Sequence, residues 1–333
     1  GGPGDFGGPD SYGHSYDPEY RGHGEIDQFA LEQQRLAALE KGQVSKIVSS
    51  FTISGSDFNL TLGSSDIPRS VDVSDVTTIT LSEANAAQTL TIGSGVDFSA
   101  LNGGSGTITG TLSSSTADDD VRISGTRNFQ DVTFTNIRFL DVTSSASQEK
   151  LVIDAETSLI TSDNRTVITG FETGSGSTAD IIDYESTIKA GNGSTRNVGS
   201  DLGVQLLTSL SDVGANAIST NSSGVLSFNY AEAALGSDLN AFGSGLSTII
   251  DDVVATLNSS ASTKSGDGKF AKGGTSTDML LVFFENASSE TDTTQDAGIF
   301  RYQEGGNSSF VSAEISLVAV IEDVTTFATE NIV

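Results

Sequence analysis

Carboxylates are the side chains that this sequence supplies in quantity for chemistry. Its 333 residues carry 44 Asp plus Glu against 16 Lys plus Arg, a formal net charge of −28, with two His, no Cys and no Trp. The densest group, Glu285, Asn286, Glu290, Asp292 and Asp296, gathers oxygen donors between two β-type runs. Hard oxygen ligands of this kind suit calcium. Asp180 and Asp183, flanking Ile181 and Ile182, and the run Asp118, Asp119 and Asp120 offer the same chemistry more sparsely. None is an EF-hand, because the one-three-five spacing, the central Gly and the closing Glu are missing. The competing reading of each is a solvated turn, a place where Asp and Asn are common for backbone reasons. Dense carboxylates on one body repel unless a cation neutralises them. Calcium is therefore the cofactor the sequence points to, with Asp180, Asp183, Asn286, Glu290, Asp292 and Asp296 as its candidate ligands.

Other chemistries lack material. Without Cys there is no disulfide, thiolate metal site or Cys nucleophile. The two His, His14 and His23, both lie in a Gly-rich leader, which leaves little for a Ser-His-Asp triad or a multi-His zinc site. Paired acids could hydrolyse glycosides, but that needs a sugar-stacking cleft, and aromatic residues make up only 7% of the chain. The glycine-rich KSGDGKFAKGG has the wrong spacing for a phosphate-binding loop. So acidic a surface repels phosphate, which argues against nucleic acid and anionic membranes as partners. No run of eighteen apolar residues occurs, so no membrane insertion by a helix is expected. With 36% apolar residues, 17 Phe and 6 Tyr, the chain can still build a core.

The elements that must position these acids change along the chain. Residues 1–24 read as a flexible Gly/Pro arm with aromatics at Phe6, Tyr12, Tyr16 and Tyr20. Aromatics spaced along a flexible strand become anchors once a neighbouring groove receives them. Residues 25–43 then read as an N-terminal helix, EIDQFALEQQRLAALEK closed by Gly42, in which Ile26 and Phe29 recur at helical spacing. The arm and this helix are the expected assembly elements. From 44 to 170 short runs such as FNLTLG, DVTTITL, GTITGTL and RTVITGF alternate apolar residues with Ser, Thr or Asp, the pattern of a β-rich repetitive body, either a solenoid or a sandwich. Residues 171–270 read as an α+β region. A helix is expected at 201–210, a strand at 224–230, and an amphipathic helix at 238–258 in which Leu239, Phe242, Leu246, Ile249, Val253 and Leu257 step by three or four behind an Asp238 cap. Residues 271–333 read as a β module holding ten acids against Lys272 and Arg301, a net of −8. The expected fold class is mainly β, with a short N-terminal helix and an α+β C-terminal part.

From about Thr166 onward the chain resembles the C-terminal region of bacterial proteins exported by type I secretion, in the broad hemolysin-type and S-layer group. VITGFETGSGSTADIIDYES is similar to the phrase that ends their repeat region, here with Ile168, Phe171, Asp180 and Asp183. The amphipathic helix, the GGTSTDMLLVF strand, the acidic turn ending Asp296 to Gly298 and the closing VTTFATENIV follow in the same order. The Gly-Gly-x-Gly-x-Asp array that binds calcium in that group is absent. The resemblance implies an uncleaved C-terminal export signal, in line with the lack of a basic-then-apolar leader at the start, and an extracellular or cell-surface location.

The reading is a non-enzymatic extracellular structural subunit that polymerises with itself into a surface layer, sheath or filament. A type I secreted adhesin or carbohydrate-binding module with a cell-surface glycan as partner is the alternative, and a secreted hydrolase the third.

Overall fold

The computed structural model describes residues 34, 51–53, 59–62, 75–81, 89–92, 106–110, 120–124, 132–135, 137–144, 148–154, 163, 165–185, 187–196, 202–209, 218–259, 276–285 and 295–333. Strands dominate them. In the first half the chain lays strands down alternately in two sheets. β1 (Phe51–Ile53), β3 (Thr78–Leu81), β5 (Thr107–Thr109), β7 (Val132–Thr135), β9 (Lys150–Asp154) and β11 (Ile181–Glu185) form a six-stranded sheet in that order. β2 (Asn59–Leu62), β4 (Thr89–Ile92), β6 (Asp120–Ser124), β8 (Phe139–Ser144) and β10 (Thr166–Thr169) form one flank of the second sheet. Every pairing among these strands is parallel and joins a strand to the next but one.

The alternation seen in the sequence explains the arrangement. Side chains of a strand point to opposite faces with a period of two, and the in-register partners place like with like. Ile79, Ile108 and Phe134 stack rung upon rung in one sheet and are buried. Leu90 and Leu140, with Val121 at the register position between them, do so in the other. That second column continues through Ile168 to Ile321, because β10 pairs in parallel with β18 (Ile315–Val324). The second sheet therefore runs unbroken from the first half into the C-terminal part.

There β16 (Asp278–Phe284), β17 (Gln295–Gln303) and β18 form an antiparallel meander, the two strands around an acidic turn and the final apolar strand expected from the sequence. β12 (Ile188–Lys189), β13 (Thr195–Arg196), β14 (Gly203–Leu207) and β15 (Gly224–Phe228) complete the sheet beyond β16. The run Met279–Phe284 is buried at every position, as in a sheet covered on both faces. Phe228 stacks on Phe283 at 4.5 Å, and Phe300 meets Phe283 edge-on. Helix α1 (Gly245–Asn258) lies over the sheet with Ile249, Ile250, Val253 and Leu257 buried.

Two helical expectations are corrected. Residues 201–210, read as a helix, contain β14, which lies parallel to β15 with Val204 opposite Val225 and Leu207 opposite Phe228. A short apolar run fits either period, and pairing decided it. The helix read from Asp238 begins at Gly245, with Ser244 and not Asp238 at its N-cap. The Asp238 carboxylate accepts from the Asn240 N–H at 2.9 Å, a local turn that competes with a helical one. Gly243 then takes φ +66°, outside the helical range. The N-terminal helix of 25–43 lies outside the described residues except Gln34, which is helical.

Candidate functional site

Asp180 ends the loop that leads from β10 into β11. Its Oδ1 accepts the Glu149 N–H and its Oδ2 the Glu172 N–H, each at 2.8 Å, so the carboxylate clasps the loop to the start of β9. Burial pushes its pKa up to about 6, against the opposing pull of those two N–H donors. Between about 4 and 6 the folded protein then holds a proton that the unfolded chain has released, so this group makes stability fall as pH rises through that window. Urea midpoints measured from pH 4 to 7 should decline over the window, and D180N should flatten that part of the profile. An unchanged difference between the two proteins at all pH values would refute the assignment.

Beside Asp180, Asn331 is fully buried and uses its whole amide. Oδ1 accepts from Gly174 and Ala328, and Nδ2 donates to the carbonyls of Gly174 and Asp180, at 2.7 to 3.0 Å. The last residues continue the six-stranded sheet past β11. Ile182 N–H donates to the Asn331 carbonyl, Val333 N–H to that of Ile182, and Tyr184 N–H to that of Val333. Phe327 packs between Phe171 and Phe284 behind this rung. Asp183 is buried on β11, and its Oδ2 pairs with Lys150 Nζ at 3.2 Å.

Asp296 opens the return strand of the acidic turn. Its Oδ1 accepts from Asp323 N–H and its Oδ2 from the Asn240 amide, each at 3.0 Å. Glu285, at the other foot of the turn, accepts from Leu239 N–H at 2.8 Å and Asp296 N–H at 3.3 Å. Glu322 takes the Thr169 hydroxyl on one oxygen and the Asn240 amide on the other. These acids hold the 238–242 segment against the sheet. Asn286, Glu290 and Asp292 lie outside the described residues, as do Asp118 and Asp119; Asp120 begins β6. Among the described residues no three His, Cys, Asp or Glu side chains converge as a metal-binding group. Asp180 and Asp296 each accept N–H donors on both oxygens, and Asp183 pairs with Lys150 through Oδ2 while its Oδ1 is buried without a hydrogen-bond partner.

Sequence reasoning passed over two arginines. Arg138 and Arg165 immediately precede the paired strands β8 and β10, and both are fully buried. They share Asp163, at 3.1 Å from Arg138 Nη1 and 2.6 Å from Arg165 Nη2. Arg165 also donates to the carbonyls of Leu239 and Ala241, and Arg138 to that of Arg165 at 2.7 Å. The Phe242 ring lies 4.4 Å from the Arg165 guanidinium carbon and 5.0 Å from that of Arg138. Their scarcity was the usable signal, since only 16 basic residues occur in the chain.

The proposed assembly residues Phe6, Tyr12, Tyr16, Tyr20, Ile26 and Phe29 lie outside the described residues. Among the described strands, β1 and β2 have a partner on one side only. No described helix is long and apolar enough to cross a membrane. No protein-family model matches the chain, and searches of curated proteins and of solved structures found no match.

Proposed function

We propose that this protein is an extracellular structural subunit, built on a two-sheeted parallel solenoid, that polymerises with copies of itself into a surface layer, sheath or filament. The observation that carries the reading is the asymmetry of the stack. At one end the terminal residues pair with β11 and β18 pairs with β10; at the other, β1 and β2 each show one paired edge among the described strands. Unpaired edges of parallel strands are templates for another chain, and a contact between that end and a different surface of the next copy repeats head to tail into a polymer. The aromatic arm and the 25–43 helix directly precede that end in sequence and supply the connector. Type I export, which the C-terminal resemblance suggests, delivers the chain to the outside, where calcium is plentiful. Calcium enters this reading through the candidate ligands Asp180, Asp183, Asn286, Glu290, Asp292 and Asp296.

Negative-stain microscopy and sedimentation of the full chain, with and without calcium, test the reading. Ordered polymers are expected, and deletion of residues 1–41 should leave a folded monomer. Polymers that persist at the same concentration after the deletion would remove the arm and helix from the connector role, and a full chain that stays monomeric in both conditions would refute assembly.

A further inference from the structure

The outward columns of the two parallel sheets differ in chemistry. In the six-stranded sheet Thr52, Thr80, Thr109 and Thr135 are register partners across β1, β3, β5 and β7, and Thr78, Thr107 and Thr133 are partners across the last three. The residues between them, Ile79 and Ile108, are fully buried, while Thr78, Thr80, Thr107 and Thr109 are partly exposed. Thr78, Thr80, Thr107 and Thr109 thus lie on the face turned away from the core, and threonine also occupies the register positions 52, 133 and 135 beside them. Beyond β7 the second column changes to Val152 and Asp183. The corresponding positions of the other sheet read Asn59, Thr89 and Asp120, and Thr61, Thr91, Arg122 and Asp141. Charge enters there within three rungs. In a chain with 60 charged residues, 44 acidic and 16 basic, the seven-position Thr array holds none.

We propose that this threonine array binds the surface of ice. Its repeats follow from sheet geometry, about 4.8 Å between neighbouring strands and about 6.6 Å between alternate residues of one strand. An array regular in two directions suits a ligand that is itself a lattice, and these repeats are of the size of the oxygen repeats in hexagonal ice. Threonine is the residue such a surface needs. Its branched Cβ restricts χ1, so hydroxyl and methyl stand in near-fixed positions before contact and little rotamer freedom is lost on binding. Each hydroxyl can hold a water in a lattice-like place while the methyls between them favour contact with an ordered layer over liquid. Charged groups would orient water around themselves instead, and the array excludes them. A crystalline glycan is the other periodic partner, but its recognition leans on exposed aromatic rings, and the columns contain none.

The test uses the purified full chain. A gap between melting and freezing points and uptake into a slowly growing ice hemisphere are expected. T80K and T109K, which put charge into the middle of the array, should each abolish most of the gap and the uptake, whereas S308K, adding the same charge at an exposed loop position, should leave both unchanged. Circular dichroism melting of each variant guards against loss of fold, and T109V, which keeps the shape but removes a hydroxyl, gives a milder second reading of the same site. A folded wild-type chain that shows neither gap nor uptake overturns the proposal, as does retention of both by folded T80K and T109K. Retention on crystalline chitin or cellulose without ice uptake overturns it as well and assigns the array to a glycan.

Discussion

Replacing Arg165 by Met should destabilise the protein by about 3–5 kcal/mol, the cost of removing one partner from a buried ion pair. Methionine fills much of the volume, so the loss is electrostatic and not a cavity. The guanidinium answers Asp163 and the carbonyls of Leu239 and Ala241, two of them on a segment that has no regular structure of its own. Without it, the buried Leu239 carbonyl and the part-buried Ala241 carbonyl lose a donor, and Asp163 keeps Arg138 as its ion-pair partner beside the backbone N–H of residue 165. Because Asn240 and Glu285 also depend on the path of residues 238–242, the segment should loosen from the sheet before the sheet melts. Urea denaturation followed by circular dichroism reads the total loss, and amide exchange at Leu239 reads the local one. Asp251, exposed on α1, supplies the control: D251N should lie within about 0.5 kcal/mol of wild type. A cost for R165M below about 1 kcal/mol would show that the cluster contributes little to holding the two halves together.

Asn331→Ala should cost about as much, roughly 3–5 kcal/mol, for a different reason. Ala leaves the part-buried N–H groups of Gly174 and Ala328, the part-buried Gly174 carbonyl and the buried Asp180 carbonyl without the partner they have now, and a stranded backbone group costs about 1–3 kcal/mol when it is fully buried and less where water reaches it. The last rung of the six-stranded sheet begins at this residue, so its loss should free residues 328–333 from β11 and expose Ile332 and Phe327, both fully buried in the native fold. Limited proteolysis should then trim the C-terminus of N331A while the wild-type chain resists. N331D is the sharper companion, since it keeps the acceptor for Gly174 and Ala328 but turns a donor toward two carbonyls into a carboxylate oxygen. It should be no more stable than the alanine variant, and an N331D protein as stable as wild type would mean that the amide donor bonds carry no weight.

Much of the β architecture was legible because it depends on periodicity. The runs around Ile79, Ile108 and Val167 alternate in the sequence and pair as strands in the structure, and the β16–β17 hairpin appears around its acidic turn where the apolar runs placed it. The errors fell where local pattern and tertiary pairing disagreed. In 201–210 a short apolar segment read as a helix, yet the backbone found a parallel partner in β15. At 238–244 an apolar stripe suggested helix, but Arg165 and Glu285 take that segment's backbone groups from outside it. A helix there would have to satisfy those groups internally.

The candidate metal acids illustrate the same division. Asp180, Asp183 and Asp296 were singled out by residue type and by position at turns, which a sequence reveals. What each oxygen accepts depends on residues as far away as Glu149, Lys150, Asn240 and Asp323. By itself the sequence determined that this would be an acidic, strand-built, cysteine-free protein with no material for thiol or multi-histidine chemistry, because composition and period-two alternation are local properties. Only the tertiary structure decided that the first-half strands alternate between two sheets, that buried arginines pin the junction, and that seven threonines from four distant segments stand in register in an array without charge. Register between strands dozens of residues apart is set by which apolar columns stack, and a single chain read in order carries no record of it.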